Sequence, residues 1–261
     1  MSRKAHLFQR FGTVFAALLV IISVAPFCYV LLCSFFPQEN TFSVQSYYDV
    51  LLGQSQYLLR FWKSLLLCLA IVLGQLLVSV LAGYGFAKSK FRGRDALFYL
   101  LIVLMILPLQ VTLVPNYLML DSLKLLNTYA ALILPLIFSP LGTFILRQSF
   151  RSISDGVLDA ARIDGCGTPR LIFRMAVPMN WSGLVCVAML FFLDAWNMVE
   201  QPIAYLKDFE QYPLSVALAY APPADHAIQL VCCVLAMFPC LFLFLFFNKE
   251  LVEGITLAEV K

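Results

Sequence analysis

Apolar residues in this chain form long continuous runs, and the polar and charged residues gather between them. Six runs carry no charged residue: Phe11–Pro37, Ser64–Ala87, Ala96–Leu120, Leu125–Leu146, Val177–Leu193 and Ala227–Asn248. A helix that crosses a bilayer needs about 20 mostly apolar residues, so each run is long enough or nearly so. One such run could be a buried core helix, but six runs in 261 residues favour a bundle of membrane helices.

The runs predict an all-α membrane protein with six transmembrane helices. We place the spans at about 11–36, 62–87, 96–118, 127–147, 177–199 and 227–248, the fifth extending past Asp194. They are expected to form a single transmembrane domain over residues 1–261. Composition agrees, because 62% of the residues are apolar and 13% are charged, against roughly 45–50% and about 25% in globular proteins.

Prolines interrupt these spans at several places, among them Pro108, Pro115, Pro135, Pro140 and Pro239. A proline inside a helix removes one backbone hydrogen bond and kinks the helix, and in lipid the freed groups need protein or water as partners. The prolines fit two interpretations equally well. They could mark a bundle that lines a moving path, or they could be ordinary, since proline is frequent in membrane helices.

The distribution of Lys and Arg predicts the orientation of the bundle. Cytoplasmic loops carry an excess of these residues, and with six spans alternate loops lie on the same side. Of the 18 Lys and Arg residues, only Arg60, Lys63, Lys124 and Lys207 fall in one set of loops, and the other fourteen fall in the opposite set. Both termini are therefore expected in the cytoplasm. The first apolar run is too long for a signal peptide and is interpreted as a retained span.

One polar insert, residues 152–178, separates the fourth and fifth spans on the predicted cytoplasmic side. Ser154 can cap a helix whose first turn carries Asp155, a charge that complements the helix dipole. Gly165 stands where this helix would end in left-handed geometry. The pattern predicts a first short helix that stops at a glycine turn.

A second short helix is expected to follow that turn. Thr168 is a suitable N-cap and Pro169 a suitable first helical residue. Arg170 and Arg174 then share one face, which is repulsive unless a partner covers it. Such an element could be a docking surface, or a solvated loop whose amphipathic helices rest on lipid headgroups.

The insert resembles the EAA loop of ABC-importer permeases, in which E-A-A is followed by three residues, a glycine, nine residues and I-x-L-P. Here Asp159-Ala160-Ala161, Gly165 and Met175-x-Val177-Pro178 stand at the same spacing, with Asp, Met and Val replacing Glu, Ile and Leu. Further segments are similar to the carbohydrate-uptake permeases of the maltose type: KFRGRDALFYLLIVLMILPLQVTLVPNYLML (90–120), LKLLNTYAALILP (123–135), FILRQSFRSI (144–153) and GITLAEVK (254–261). The resemblance covers residues 60–261.

This resemblance implies the type I ABC-importer permease fold, with a cytoplasmic coupling helix in the insert. Such a helix docks into a cleft on a cytoplasmic ATPase, and closure of two ATPases switches the permease pair between inward-facing and outward-facing states. The coupling residues it implies are Asp159, Ala160, Ala161, Arg162, Asp164, Gly165, Thr168, Pro169, Arg170 and Pro178. The implied cargo is a sugar or oligosaccharide.

The resemblance also implies the partners. They are a second permease subunit in a heterodimer, two ABC ATPase subunits, an extracytoplasmic solute-binding protein and membrane lipid, without nucleic acid. The setting it implies is the cytoplasmic membrane of a prokaryote.

The chain is not expected to be an enzyme. It has no G-x-x-x-x-G-K-[ST] phosphate-binding loop, so ATP and Mg²⁺ are expected on a separate ATPase and no cofactor on this chain. His6 and His226 lie far apart and no H-E-x-x-H motif occurs, which argues against a membrane-embedded metalloenzyme. Seven of the eight cysteines lie within apolar runs and are interpreted as small apolar side chains.

Polar residues within the spans are candidates for a translocation path, because polar groups are costly to bury in a bilayer. The candidates are Gln75, Ser79, Gln110, Asn116, Asp194, Trp196 and Asn197, followed by Glu200. Asp194-Ala-Trp-Asn resembles a G-A-W-N sequence of the family, with Asp in place of Gly. These groups suit sugar hydroxyls and a sugar face, but Trp196 could equally belong to an interfacial aromatic belt.

Two alternatives stay open at this point. The same fold could carry glycerol phosphate, a polyol or a cargo that is not a sugar, because the sequence around residues 198–208 departs from the usual family pattern. The chain could also be a secondary transporter or channel that works without ATP, although the spacing of the EAA-like loop argues against it.

Overall fold

The computed structural model describes residues 3–36, 42–53, 55–220 and 226–259. Over these ranges every regular element is helical and no strand occurs. The α-helices are α1 (Arg3–Phe35), α2 (Gln45–Tyr48), α3 (Ser55–Lys88), α4 (Arg94–Ile106), α5 (Leu109–Ser122), α6 (Ala130–Ile137), α7 (Pro140–Arg151), α8 (Asp155–Ile163), α9 (Thr168–Leu171), α10 (Val177–Met179), α11 (Trp181–Trp196), α12 (Glu200–Tyr205), α13 (Leu214–Tyr220) and α14 (His226–Glu259). Asp49–Gly53 and Ile172–Ala176 are π-helical, and Phe209–Gln211 is a 3₁₀ turn.

Four helical stretches within the described ranges are long and apolar enough to cross a membrane: Gly12–Phe35, Gln56–Lys88, Ala130–Arg151 and Ala227–Val252. Two further pairs qualify only if each bent pair counts as one span. Arg94–Ile106 and Leu109–Ser122 meet at 101°, and Thr168–Met179 and Trp181–Trp196 meet at 88°. The structure therefore has between four and six candidate spans.

The two bends fall inside the predicted third and fifth spans, where the apolar runs predict continuous helices. At the first bend Leu107 has ψ 129° and Pro108 has ψ 145°. A residue that precedes proline is driven out of the helical region by a clash with the proline ring, so α4 ends before Pro108. At the second bend Asn180 has φ −123° and ψ 36°, which ends α10 two residues after Pro178.

The chain separates into two compact units. The smaller unit comprises Met1–Leu59 and Tyr220–Phe238. In it, the Phe35 ring stacks on Phe42 and Tyr47, with centroids 5.7 and 4.9 Å away. The hydroxyl of Tyr57 donates a hydrogen bond to the carbonyl of Cys232 at 3.1 Å. The most apolar stretch of Gly12–Phe35 has no buried residue, so its surface suits lipid or another protein.

The larger unit, Arg60–Ala219 and Pro239–Lys261, is built on close contacts between α3, α7 and α11. Glycines make these contacts possible, as is common where membrane helices pack through small residues. A Cβ on Gly83 of α3 would lie 2.9 Å from that of Leu146, and a Cβ on Gly142 of α7 would overlap the ring of Phe191. These three helices therefore form the core that positions the polar groups described below.

Two connections are more helical than the sequence pattern indicates. The predicted spans at 177–199 and 227–248 leave residues 200–226 as a connection, but this segment contains α12, a 3₁₀ turn and α13; residues 221–225 lie outside the described residues. The connection before the span predicted from residue 62 ends early, because α3 begins at Ser55. Both differences arise because apolar runs indicate lipid burial and do not show where a helix extends into polar sequence.

Candidate functional site

The insert between α7 and α11 begins with α8, which is anchored to the end of α3. Ser154 occupies the N-cap position in extended geometry, as predicted, but its side chain makes no capping hydrogen bond. Instead Lys88 reaches across, and its Nζ donates to the carbonyl of Ile153 at 2.5 Å and to Oδ1 of Asp155 at 2.7 Å. The hydrogen bond from Lys88 lowers the pKa of the Asp155 carboxyl.

The first helix of the insert ends at Gly165, as the sequence predicts. Gly165 has φ +81°, its N–H donates to the carbonyl of Arg162, and the N–H of Cys166 donates to the carbonyl of Ala161, both at 3.0 Å. This pair of bonds is the Schellman motif, which requires a left-handed residue and so favours glycine. No atom lies within 4 Å of where a Cβ on Gly165 would stand, so the requirement for glycine is conformational and not steric.

The second helix begins one position earlier than expected. Gly167 (φ −69°, ψ 156°) occupies the N-cap, so that Thr168 is the first helical residue and Pro169 the second. The predicted N-cap role of Thr168 is therefore wrong. An extended glycine can end the turn without a side-chain cap, and proline is tolerated throughout the first helical turn because its missing N–H would be unpaired there.

Each helix of the insert buries one face and exposes the other. Leu158, Leu171 and Ile172 are buried, whereas the side chains of Ile163 and Phe173 are 86% and 47% exposed. A cleft of about 550 Å³ opens between the two helices and is lined by Gly156, Val157, Ala160, Ala161, Asp164, Cys166, Arg170 and Met175. The apolar residues of the first helix are therefore divided, with Leu158 in the protein core and Val157 and Ala160 in this cleft.

Charges surround the cleft. Arg162 and Asp159 form an exposed ion pair at 2.7 Å. Arg170 and Arg174 are exposed and form no ion pair within the part of the chain that the structure describes. Of the ten predicted coupling residues, Ala160, Ala161, Asp164 and Arg170 line the cleft. The others lie beside it in the insert, and Pro178 lies in α10 near the bend. The insert thus presents a largely apolar cleft whose lining carries one acidic residue, Asp164, and one basic residue, Arg170, with Arg174 exposed elsewhere on the insert.

A second site, which we call the central cavity, has a volume of about 460 Å³. Residues of α3 to α7, α11 and α12 line it, and its polar members are Gln75, Thr112, Asn116, Ser139, Asp194, Gln201 and Tyr205. Gln75 is 3% exposed, and its Oε1 has no hydrogen-bond partner within the described residues. Pro135 and Pro140 also line this cavity, so two of the predicted helix interruptions border the site.

Three predicted path residues, Gln75, Asn116 and Asp194, line the central cavity; the other four do not. Ser79 is fully buried and touches the position of a Cβ on Gly142. The Trp196 ring is buried, stacking on Phe192 at 5.7 Å.

The remaining two candidates make local bonds. Gln110 donates to the Glu200 carboxylate at 3.0 Å, and the amide of Asn197 donates to the carbonyl of Leu193 at 2.8 Å. Both residues are exposed, and neither side chain borders the central cavity.

Gln201 and Tyr205 are not among the predicted residues, because the sequence pattern assigns α12 to a loop. Their i, i+4 spacing is the only signal that could have placed them on one helical face. Asn127, which has left-handed geometry at φ +61°, holds the end of α12 although it lies far earlier in the sequence. Its N–H donates to the carbonyl of Tyr205 at 2.9 Å, and its Nδ2 donates to Asp208 at 2.8 Å. The Tyr205 hydroxyl donates to the carbonyl of Leu113 at 3.3 Å.

The insert and the central cavity occupy different levels along α3. Lys88 holds the insert at the carboxyl end of this helix, and Ser64 accepts a hydrogen bond from the N–H of Leu214 near the other end at 2.8 Å. At a rise of about 1.5 Å per residue, these anchors are roughly 36 Å apart. Gln75 lies near the midpoint, roughly 20 Å from Lys88. The cavity is therefore close to the middle of a membrane-length helix.

Comparison with known proteins identifies the arrangement. The family model described as "Binding-protein-dependent transport system inner membrane component" matches residues 75–249. The chain belongs to this family. The predicted family resemblance is confirmed, and the chain is a multi-pass protein of the cytoplasmic membrane.

Two curated relatives and one solved structure show how far the family likeness extends. The arabinooligosaccharides transport system permease protein AraQ of Halalkalibacterium halodurans is 29% identical over 265 residues, covering 95% of each chain. The polygalacturonan/rhamnogalacturonan transport system permease protein YtcP of Bacillus subtilis is 26% identical over 291 residues, covering 99% of each. A bacterial ABC transporter involved in the import of the acidic polysaccharide alginate has a chain that matches with a TM-score of 0.85. It is 18% identical, with 95% of this chain and 98% of that chain covered, and supports the fold.

Proposed function

We propose that this chain is the permease subunit of an ATP-driven ABC importer that moves a sugar or oligosaccharide by alternating access. The proposed architecture has six spans in a single domain, with both termini and the insert 152–178 in the cytoplasm of a prokaryote. A second permease subunit, two ABC ATPases that hold ATP and Mg²⁺, and an extracytoplasmic solute-binding protein complete the transporter. The names of the AraQ and YtcP relatives support a carbohydrate cargo.

The observation that carries this proposal is the surface of the insert. Ile163 is 86% exposed, and the next residue, Asp164, lines a cleft together with Arg170 and mostly small or apolar residues. An exposed large apolar side chain beside a cleft, with two arginines at i, i+4 that repel each other weakly, is typical of a docking site. The anchor from Lys88 and the Schellman turn give this surface a fixed geometry, which a lever between ATPase and membrane requires.

The polar central cavity supports the second half of the proposal. In transporters the cargo site is commonly near the middle of the bilayer, where broken helices expose polar backbone and side chains. Here the break between α4 and α5 at Pro108 and the start of α7 at Pro140 adjoin the cavity. A cavity of about 460 Å³ is within the range of small-molecule sites.

Copurification of the assembled importer tests the docking role of the insert. Ile163→Glu should reduce the ATPase retained per permease severalfold, because it places a charge in the apolar contact. Leu123→Glu is the matched control, since Leu123 is also exposed, at 59%, but lies beyond the other end of the bundle. If both variants retain the ATPase equally, the insert is not the docking surface.

A further inference from the structure

We infer that the central cavity selects a cargo that bears no negative charge. This inference rests on the proposed function, because it specifies the class of sugar that the same site accepts. The decisive residue is Asp194, which stands near the end of α11 and lines the cavity.

The charge balance of the cavity is one-sided. Asp194 is the single ionisable carboxylate among its lining residues, and no Lys, Arg or His lines it within the part of the chain that the structure describes. Over the same residues Asp194 forms no ion pair within 4.0 Å. Glu200, the next acidic residue along the chain, has only the neutral amide of Gln110 as its hydrogen-bond partner there. An anion on this chain's side of the cavity would therefore meet the charge of Asp194 without a compensating cation among the lining residues of this chain.

Two hydroxyls of the cavity are placed to accept hydrogen bonds, beside the amides of Gln75, Asn116 and Gln201 and the hydroxyl of Ser139, which can also donate. The hydroxyl of Thr112 donates to the carbonyl of Leu109 at 2.9 Å, and that of Tyr205 donates to the carbonyl of Leu113 at 3.3 Å. Both hydroxyls therefore offer only lone pairs to the cavity. Sugar hydroxyls and ammonium groups can donate to these acceptors, whereas a carboxylate or phosphate cannot.

The expected discrimination follows from Coulomb's law. At an effective dielectric constant of about 20, a carboxylate about 8 Å from Asp194 loses roughly thirty-fold in affinity relative to a neutral group. The ratio rises as the groups approach and falls toward unity where water fills the space between them. A neutral sugar avoids this repulsion, and an amino sugar gains from the same carboxylate.

A direct binding measurement on the assembled importer tests this inference. The two permease subunits and their ATPases are placed in lipid nanodiscs without the solute-binding protein and held with a non-hydrolysable ATP analogue. They are dialysed against radiolabelled disaccharides of equal size, one neutral and one with a uronic acid. The wild-type complex should bind the neutral disaccharide at least tenfold more tightly. Asp194→Asn should bring the two affinities to within about threefold. Asp121→Asn is the matched control, because Asp121 is exposed in α5 and does not line the cavity.

Three results would overturn the inference. The wild type could bind the uronate as tightly as the neutral sugar, the preference could persist in Asp194→Asn, or that variant could lose the second permease subunit, which would make Asp194 a subunit contact. Failure of the proposed function has a different signature: the wild-type complex binds neither disaccharide, and proteoliposomes show no ATP-driven uptake of any sugar in the panel.

Discussion

Gly165 provides the sharpest test of the insert, because its environment separates backbone strain from steric clash. Its φ is +81°, and a Cβ there would meet no atom within 4 Å. Valine at this position should therefore cost only the left-handed backbone strain of a β-branched residue, about 2 kcal/mol. The Schellman hydrogen bonds of the turn can open to relieve that strain. Opening the turn would loosen α8 from α9 without disturbing the packed core of α3, α7 and α11.

The matched control is two residues away. A Cβ on Gly167 would likewise have no neighbour within 4 Å, but the φ of −69° and ψ of 156° at this position suit any residue. Gly167→Val should therefore behave as wild type. We expect Gly165→Val to leave the thermal midpoint of the complex nearly unchanged, while the sugar imported per ATP hydrolysed in proteoliposomes falls several-fold.

Hydrogen exchange provides the structural readout for the same pair of variants. Amide protection over residues 160–171 should fall about tenfold or more in Gly165→Val, since about 1.4 kcal/mol corresponds to a factor of ten. Transport at the wild-type rate with wild-type ATP stoichiometry in Gly165→Val would refute the coupling role of this turn. Equal loss of coupling in both glycine variants would refute the conformational argument.

Two further predictions concern the anchor of the insert and the packing of the core. Lys88→Met removes a hydrogen bond from a charged donor to the carbonyl of Ile153. The local free energy of opening should fall by about 1.5–3 kcal/mol, so the amide hydrogens of residues 153–163 should exchange faster. Lys90 is exposed, and Lys90→Met should leave this exchange unchanged. Gly142→Ala should destabilise the chain by about 1–3 kcal/mol, because the added methyl group would overlap Phe191 and Ser79. Gly85 has open space around it, so Gly85→Ala should not destabilise the chain. Equal unfolding temperatures of the two variants, measured by differential scanning calorimetry in detergent, would contradict the close packing of α3, α7 and α11.

The sequence was informative wherever a single physical requirement acts locally. Long apolar runs predict membrane-length helices because lipid must solvate them, and Gly165 was identifiable because few other residues adopt left-handed geometry at low cost. The proline at position 108 indicates that the helix of the third predicted span is interrupted there. It did not show whether the helix would kink or stop, because that depends on how the neighbouring helices satisfy the freed backbone groups.

The central cavity was less accessible to sequence reasoning because distant contacts form it. Gln75 and Asp194 were identified as costly polar residues within spans, but Ser79 and Trp196 satisfy the same criterion and are packed elsewhere. Tyr205 joins the cavity through α12, whose position is fixed by hydrogen bonds from Asn127, far earlier in the chain. Polarity along a helix shows that a partner is needed, and only the three-dimensional packing shows which partner is used.

The bend at Asn180 joins the two sites through a single helix. The insert ends two residues before this bend, and α11 then runs from Trp181 to the cavity carboxylate of Asp194. Fourteen residues of helix correspond to about 21 Å, so a pivot of about 10° at Asn180 would displace the backbone of Asp194 by about 4 Å. That displacement of the Asp194 backbone exceeds the radius of a sugar hydroxyl group. On the proposed coupling role, a rotation of α11 at Asn180 would change the shape of the cavity directly, because α11 is continuous from Trp181 to Asp194.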